Sequence, residues 1–140
     1  MTCEEFDELL ASSDADTLCS YRCAIDARVA ELRREDRQAL AEHVREEMAG
    51  KWVAVYEGEC RKEYLHVVEV ADNGVSVVLK GPTVTVFASD GHYEVTVYSG
   101  GSMAYSGLGK DAVRTELQVS SLVAEARALQ DITAAAERKG

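Results

Sequence analysis

Apolar residues recur along this chain with two periods, and the switch between them divides it into three stretches. Up to residue 50 they fall three and four apart, the spacing of a helix face. Thr2 and Glu5 have the spacing of a capping box. They open a short helix with Phe6, Leu9 and Leu10 on one side. Ala11-Ser12-Ser13 closes it, Ser13 or Asp14 caps a second helix, and Asp16 suits its first turn. The second stripe runs Leu18, Tyr21 or Arg22, Ile25, Val29 and Leu32, then resumes at Leu40, Val44 and Met48. Between its halves lies the polar run Arg33-Arg34-Glu35-Asp36-Arg37-Gln38, with Asp36 where an apolar residue is due. Either one helix of roughly 50 Å continues through, or the chain breaks and Asp36 caps a new helix. With no Gly or Pro in the run, the continuous helix is preferred, with Gly50 as its stop.

From Lys51 to Tyr98 the period becomes two. Five strands are expected: Lys51–Glu57, Tyr64–Ala71, Val75–Lys80, Thr83–Ala88 and His92–Tyr98, with Gly58–Lys62 as a loop. The first strand is apolar on both alternating sides, as in a strand covered on both faces. Asn73-Gly74 and Asp90-Gly91 are two-residue hairpin signals. They pair Val70 with Val77, Val68 with Leu79, Val86 with Val95 and Val84 with Val97. All these residues, with His66, then share one apolar face. Gly81-Pro82 joins the hairpins. The opposite face (Leu65, Val67, Glu69, Val78, Thr85, Phe87, Glu94, Thr96 and Tyr98) carries too many large apolar groups to be wholly solvated.

Glycine-rich turns at 99–102 and 106–109 flank a short sixth strand, Met103-Ala104-Tyr105. A last helix over about Asp111–Glu137 has a heptad-like seam of Val119, Leu122, Ala126, Leu129, Thr133 and Ala136. Its small residues suit an antiparallel partner. The expected fold is α+β in one domain: a helical segment (1–50), an antiparallel sheet (51–105) and a C-terminal helix (110–138). The five- to six-stranded meander is either a curved sheet or a small SH3-like barrel. The long C-terminal helix packs on the sheet's apolar face or on the N-terminal helix.

Charge and cysteine content narrow the function classes. The net charge of −10 is uneven: residues 1–20 hold Glu4, Glu5, Asp7, Glu8, Asp14 and Asp16 and no Lys or Arg. Such a chain is repelled by phosphate backbones and anionic lipid, which argues against nucleic-acid or membrane binding and toward a basic protein surface. No apolar run reaches the roughly 20 residues of a membrane span. Met1-Thr2-Cys3-Glu4-Glu5 lacks the features of a signal peptide, so a cytoplasmic protein is expected. Cys3, Cys19, Cys23 and Cys60 are then reduced thiols, expected as small packed hydrophobes. Cys19 and Cys23 share a helix face, with Cys3, Cys60 and His66 as nominal further ligands. Without a paired C-x2-C spacing, neither a metal nor a cofactor is expected.

Little else suggests catalysis. Gly107-Leu108-Gly109 is neither a dinucleotide fingerprint nor a Walker loop, since Gly109-Lys110 is followed by Asp111. His43, His66 and His92 have no evident relay, although a buried His66 needs a hydrogen-bond partner, for which Tyr64 and Tyr93 are candidates. Glu69 and Glu94 share the mixed sheet face and serve as an acid–base pair only if a cleft holds them. The expected function is a non-enzymatic interaction module that homodimerises through its helical stripes, in coiled-coil fashion. It docks on a basic partner surface, such as that of a nuclease, through the N-terminal acids and the aromatics Phe87, Tyr98 and Tyr105. In size, acidity and lack of motif the chain resembles accessory and inhibitor proteins of phages and mobile elements, a likeness of style rather than of motif. A small-ligand-binding domain using the mixed sheet face is the alternative, and a small enzyme comes third.

Overall fold

The computed structural model describes residues 1–139, and of Lys139 only its backbone. Its elements are α1 (Cys3–Ser12), α2 (Ala15–Met48), β1 (Trp52–Glu57), β2 (Arg61–His66), β3 (Glu69–Asp72), β4 (Val77–Ser89), β5 (His92–Ala104), a 3-10 turn (Lys110–Ala112), β6 (Val113–Arg114) and α3 (Glu116–Lys139). The fold is α+β. The chain divides into two compact units, residues 1–38 and 39–140.

Local chemistry sets the ends of α1 and α2. The Thr2 hydroxyl accepts from the Glu5 N–H and the Glu5 carboxylate accepts from the Thr2 N–H, each at 3.1 Å, completing the capping box of α1. Asp14 caps α2 by accepting from the Thr17 N–H at 2.7 Å. The polar run at 33–38 does not interrupt α2. Gly50, at φ +80°, provides the left-handed stop after it.

The second unit is built on an open antiparallel sheet. β4 pairs with β5 along one edge, and with β3 (69–72 against 77–80) and β2 (61–65 against 83–87) along the other. β1 follows β2, and β6 follows β1. The outer strands β5 and β6 are not paired with each other, so the sheet does not close into a barrel. The Asp90-Gly91 hairpin has the expected register, Val86 opposite Val95 and Val84 opposite Val97. The Asn73-Gly74 turn is wider than expected. Asn73 Oδ1 accepts from the Val75 and Ser76 N–H groups, and the pairing shifts by two, to Val70 opposite Leu79. Val68, expected on the buried face, falls between β2 and β3 and is 65% exposed.

The expected single apolar face is corrected more substantially. β4 runs unbroken through Gly81-Pro82, with a register shift there, so the expected strands 75–80 and 83–88 are one. Leu79 and Val84 are an odd number of residues apart, and strand alternation therefore sends them to opposite faces. Val77 and Leu79 pack with Val53, Leu65, Val67 and Val70 against Ala41, Val44 and Met48 of α2. Val84 and Val86 pack with Trp52 and Val95 against Leu122, Val123 and Ala126 of α3. The expected seam of α3 thus meets the sheet. Thr115 and Gln118 form a second capping box at its start, five residues later than expected, because the 3-10 turn and β6 intervene. The expected sixth strand, 103–105, instead extends β5.

One close approach holds β4 to the β2–β3 edge. A Cβ added at Gly81 would run into the His66 carbonyl oxygen. Gly81→Ala is therefore expected to lower stability by about 1–3 kcal/mol. Gly100→Ala, where the space is open, should change it by no more than about 0.5 kcal/mol. Urea unfolding of both variants beside the parent chain checks this.

Candidate functional site

In residues 1–38 no side chain is buried. The stripe on α2 faces water: Tyr21, Ile25, Val29 and Leu32 are all exposed, Ile25 to 53% and Val29 to 38%. Phe6 and Leu10 of α1 are exposed as well. This is unusual for aliphatic residues at helical spacing, because such a stripe ordinarily faces a core. The acids singled out from the sequence precede it in the same unit. Glu4, Glu5, Asp7 and Glu8 are exposed on α1, and Asp16 on the first turn of α2. Two of the six acids also do local work, Glu5 in the capping box and Asp14 as the α2 cap.

Asp14 is held below the ordinary carboxylate value by the Thr17 side chain first and the Thr17 N–H second. A lowered folded value means that the cap stabilises above the ordinary value of 3.8 and is lost as pH falls through the folded one.

The aromatic candidates belong to the other unit and have different surroundings. Phe87 and Tyr98 are 45% and 56% exposed on the sheet face whose other end is covered by Ala41, Val44 and Met48. Tyr105 instead packs partly buried against that core, its N–H donating to the Val77 carbonyl at 2.8 Å. The sequence reading missed Tyr56 and Arg61. The guanidinium lies 4.4 Å from the Tyr56 ring centre, and Arg61 pairs across strands with Phe87. Arg61 fell inside the expected loop 58–62, so no alternation marked it as a sheet residue.

The groups with catalytic potential are dispersed. Glu69 pairs with Lys80 and Glu94 with Phe87, at separate places on the sheet. His66 is partly exposed and stacks on Trp52 with ring centres 4.7 Å apart. Its Nε2 lies 3.2 Å from the Gly50 carbonyl, to which it donates, rather than to the expected Tyr64 or Tyr93. His43 and His92 sit 3.4 and 3.3 Å from Glu47 and Glu137 on exposed surface. The four cysteines, expected as packed hydrophobes, are all exposed free thiols. Among the described residues, no three His, Cys, Asp or Glu side chains are grouped to hold a metal ion.

The concavities of the second unit are shallow. One of about 220 Å³ lies between β2, β4 and α3, lined by Glu59, Cys60, Lys62, Tyr93, Glu125 and Leu129 among others. It falls below the roughly 300–1,000 Å³ of small-molecule pockets. An open hollow of about 430 Å³ lies among Glu47, Met48, Lys51, Leu108 and Lys110. Glu94, with Phe87 and His92, lines another open hollow of about 380 Å³, whereas Glu69, Tyr98 and Tyr105 line none of the three.

Among the described residues, Tyr64 is the one buried titratable group with a displaced proton affinity. Burial raises its phenol above the ordinary value of 10.0, the Glu57 charge adds to this, and Arg114 opposes it. The folded chain holds this proton more tightly than the unfolded one. Its contribution to stability is therefore complete below pH 10.0 and lost as pH rises toward the folded value. Tyr64→Phe should flatten the alkaline fall in unfolding midpoint, read by denaturation at stepped pH; an unchanged slope contradicts this assignment.

Among the described residues, no helix is long and apolar enough to cross a membrane. A scan against protein-family models and searches of curated proteins and of solved structures find no match.

Proposed function

We propose that this chain works by binding another macromolecular surface, with its N-terminal helical unit as the docking element, and not by catalysis. The supporting observation is the exposed stripe of Tyr21, Ile25, Val29 and Leu32 in a unit without buried residues. Each aliphatic side chain of such a stripe gains roughly 1.5–3 kcal/mol on full burial. An isolated helix draws little stability from propensity alone, so a covering surface stabilises both the stripe and the helix.

The N-terminal acids give that surface a sign. With six carboxylates and no Lys or Arg in residues 1–20, the segment attracts a basic protein surface. Proteins that handle anionic ligands, nucleases among them, present such surfaces. In this reading the carboxylates steer the encounter, and the apolar side chains hold the complex once water is excluded.

Affinity capture with quantitative mass spectrometry tests the two contributions separately. One variant carries Glu4→Gln, Glu5→Gln, Asp7→Asn and Glu8→Gln. The Glu5→Gln change keeps the capping box, because the amide oxygen still accepts from the Thr2 N–H. The other variant carries Ile25→Ser and Leu32→Ser. The parent chain should capture a protein with a basic surface, less of it as salt rises, and each variant should lose most of that capture. Undiminished capture by both variants would refute the assignment.

A further inference from the structure

Resting on the reading of the α2 stripe as a docking surface, we infer that it also pairs with a second copy of this chain. The two helices run antiparallel, with their twofold axis between Val29 and Leu32. The charges beside the stripe carry the inference, because they match in this arrangement and clash in the alternatives.

Steps of three and four place Arg22, Ile25, Val29, Leu32 and Asp36 along the seam of α2. Asp26 and Arg33 flank it on one side, Arg28 and Glu35 on the other. In a parallel pair each seam residue faces its own copy, so Arg22 meets the partner's Arg22 and Asp36 the partner's Asp36. Arg28 then also meets the partner's Arg33. In the antiparallel pair, Val29 packs on the partner's Leu32. Asp36 lies over the partner's Ile25, within a turn of the partner's Arg22. Arg28 meets the partner's Glu35, and Asp26 the partner's Arg33, each twice by symmetry.

Register is selected by the same charges. A slide of one heptad in one direction sets Arg28 and Asp26 each against its own copy. The opposite slide does the same to Glu35 and Arg33. Charged seam residues commonly fix orientation in this way at some cost in stability. Within one helix, Arg22 lies 3.9 Å from Asp26 and Arg28 lies 3.1 Å from Glu31. These pairs are solvent-exposed, hold little energy and leave the side chains able to turn across the seam.

Sedimentation of the full chain across a concentration series tests this, with Trp52, the single tryptophan, reporting an intact sheet in every variant. The parent chain should show a monomer–dimer equilibrium. Arg28→Glu should weaken it about tenfold, since two matched pairs become repulsive. Arg28→Glu combined with Glu35→Arg should restore it to within about threefold. Val29→Lys should abolish it. A chain that stays monomeric, a dimer strengthened by Arg28→Glu (the parallel arrangement), or a dimer indifferent to Val29→Lys overturns the inference. A monomeric chain whose capture of a basic protein still depends on Ile25 and Leu32 would overturn self-pairing alone and leave the docking function standing.

Discussion

The architecture of the second unit depends on the step from Leu79 to Val84 within one strand. An odd separation in an unbroken strand turns two apolar clusters to opposite faces, so the sheet needs cover on both sides. Ala41, Val44 and Met48 supply it for one face, and Leu122, Val123 and Ala126 for the other. The missing side chain at Gly81 lets the β2–β3 edge approach the strand closely at this step. A strand broken at Gly81-Pro82, with both clusters on one face, would leave one of these helical surfaces without a counterpart.

α2 serves two purposes along one stripe. Its last turns complete the core, while the same three-and-four spacing at Ile25, Val29 and Leu32 meets no core. A chain that used the helix only to cover its sheet would have no need of apolar residues there. The exposed stripe and the acids of residues 1–20 together support the docking proposal, with the acids favouring a basic partner. The charges beside Val29 add a further selectivity, since they match in one antiparallel register of two copies. These are proposals about what covers the stripe; its exposure is a property of the fold.

Much of this fold was legible in the sequence. Turn and cap chemistry acts locally, so the Thr2–Glu5 box, the Gly50 stop and the Asp90-Gly91 hairpin register were all readable. The two-residue turn at Asn73-Gly74 was not. Asx hydrogen bonds from Asn73 to Val75 and Ser76 stabilise a wider loop with the same residues. The continuity of β4 was hidden because Pro82 reads as a break, whereas the pairing with β5 resumes past it after a register shift, and β3 and β2 pair before and after it along the other edge. Of the candidate site, the stripe and the acids were visible as patterns, but their exposure was not. A helix face has the same spacing whether a core or water lies against it. The thiols illustrate this in reverse: their small size suggested packing, yet Cys3, Cys19, Cys23 and Cys60 are all exposed.

On the docking proposal, the stripe of α2 becomes stable through a second surface and not through a core of its own. Hydrogen–deuterium exchange across Leu18–Asp36, followed as a function of chain concentration, tests it most directly. Protection there should rise with concentration, while the amides of Val53, Leu65 and Leu79 in the sheet stay equally protected throughout. Full protection of Leu18–Asp36 in a dilute chain shown to be monomeric would contradict the account.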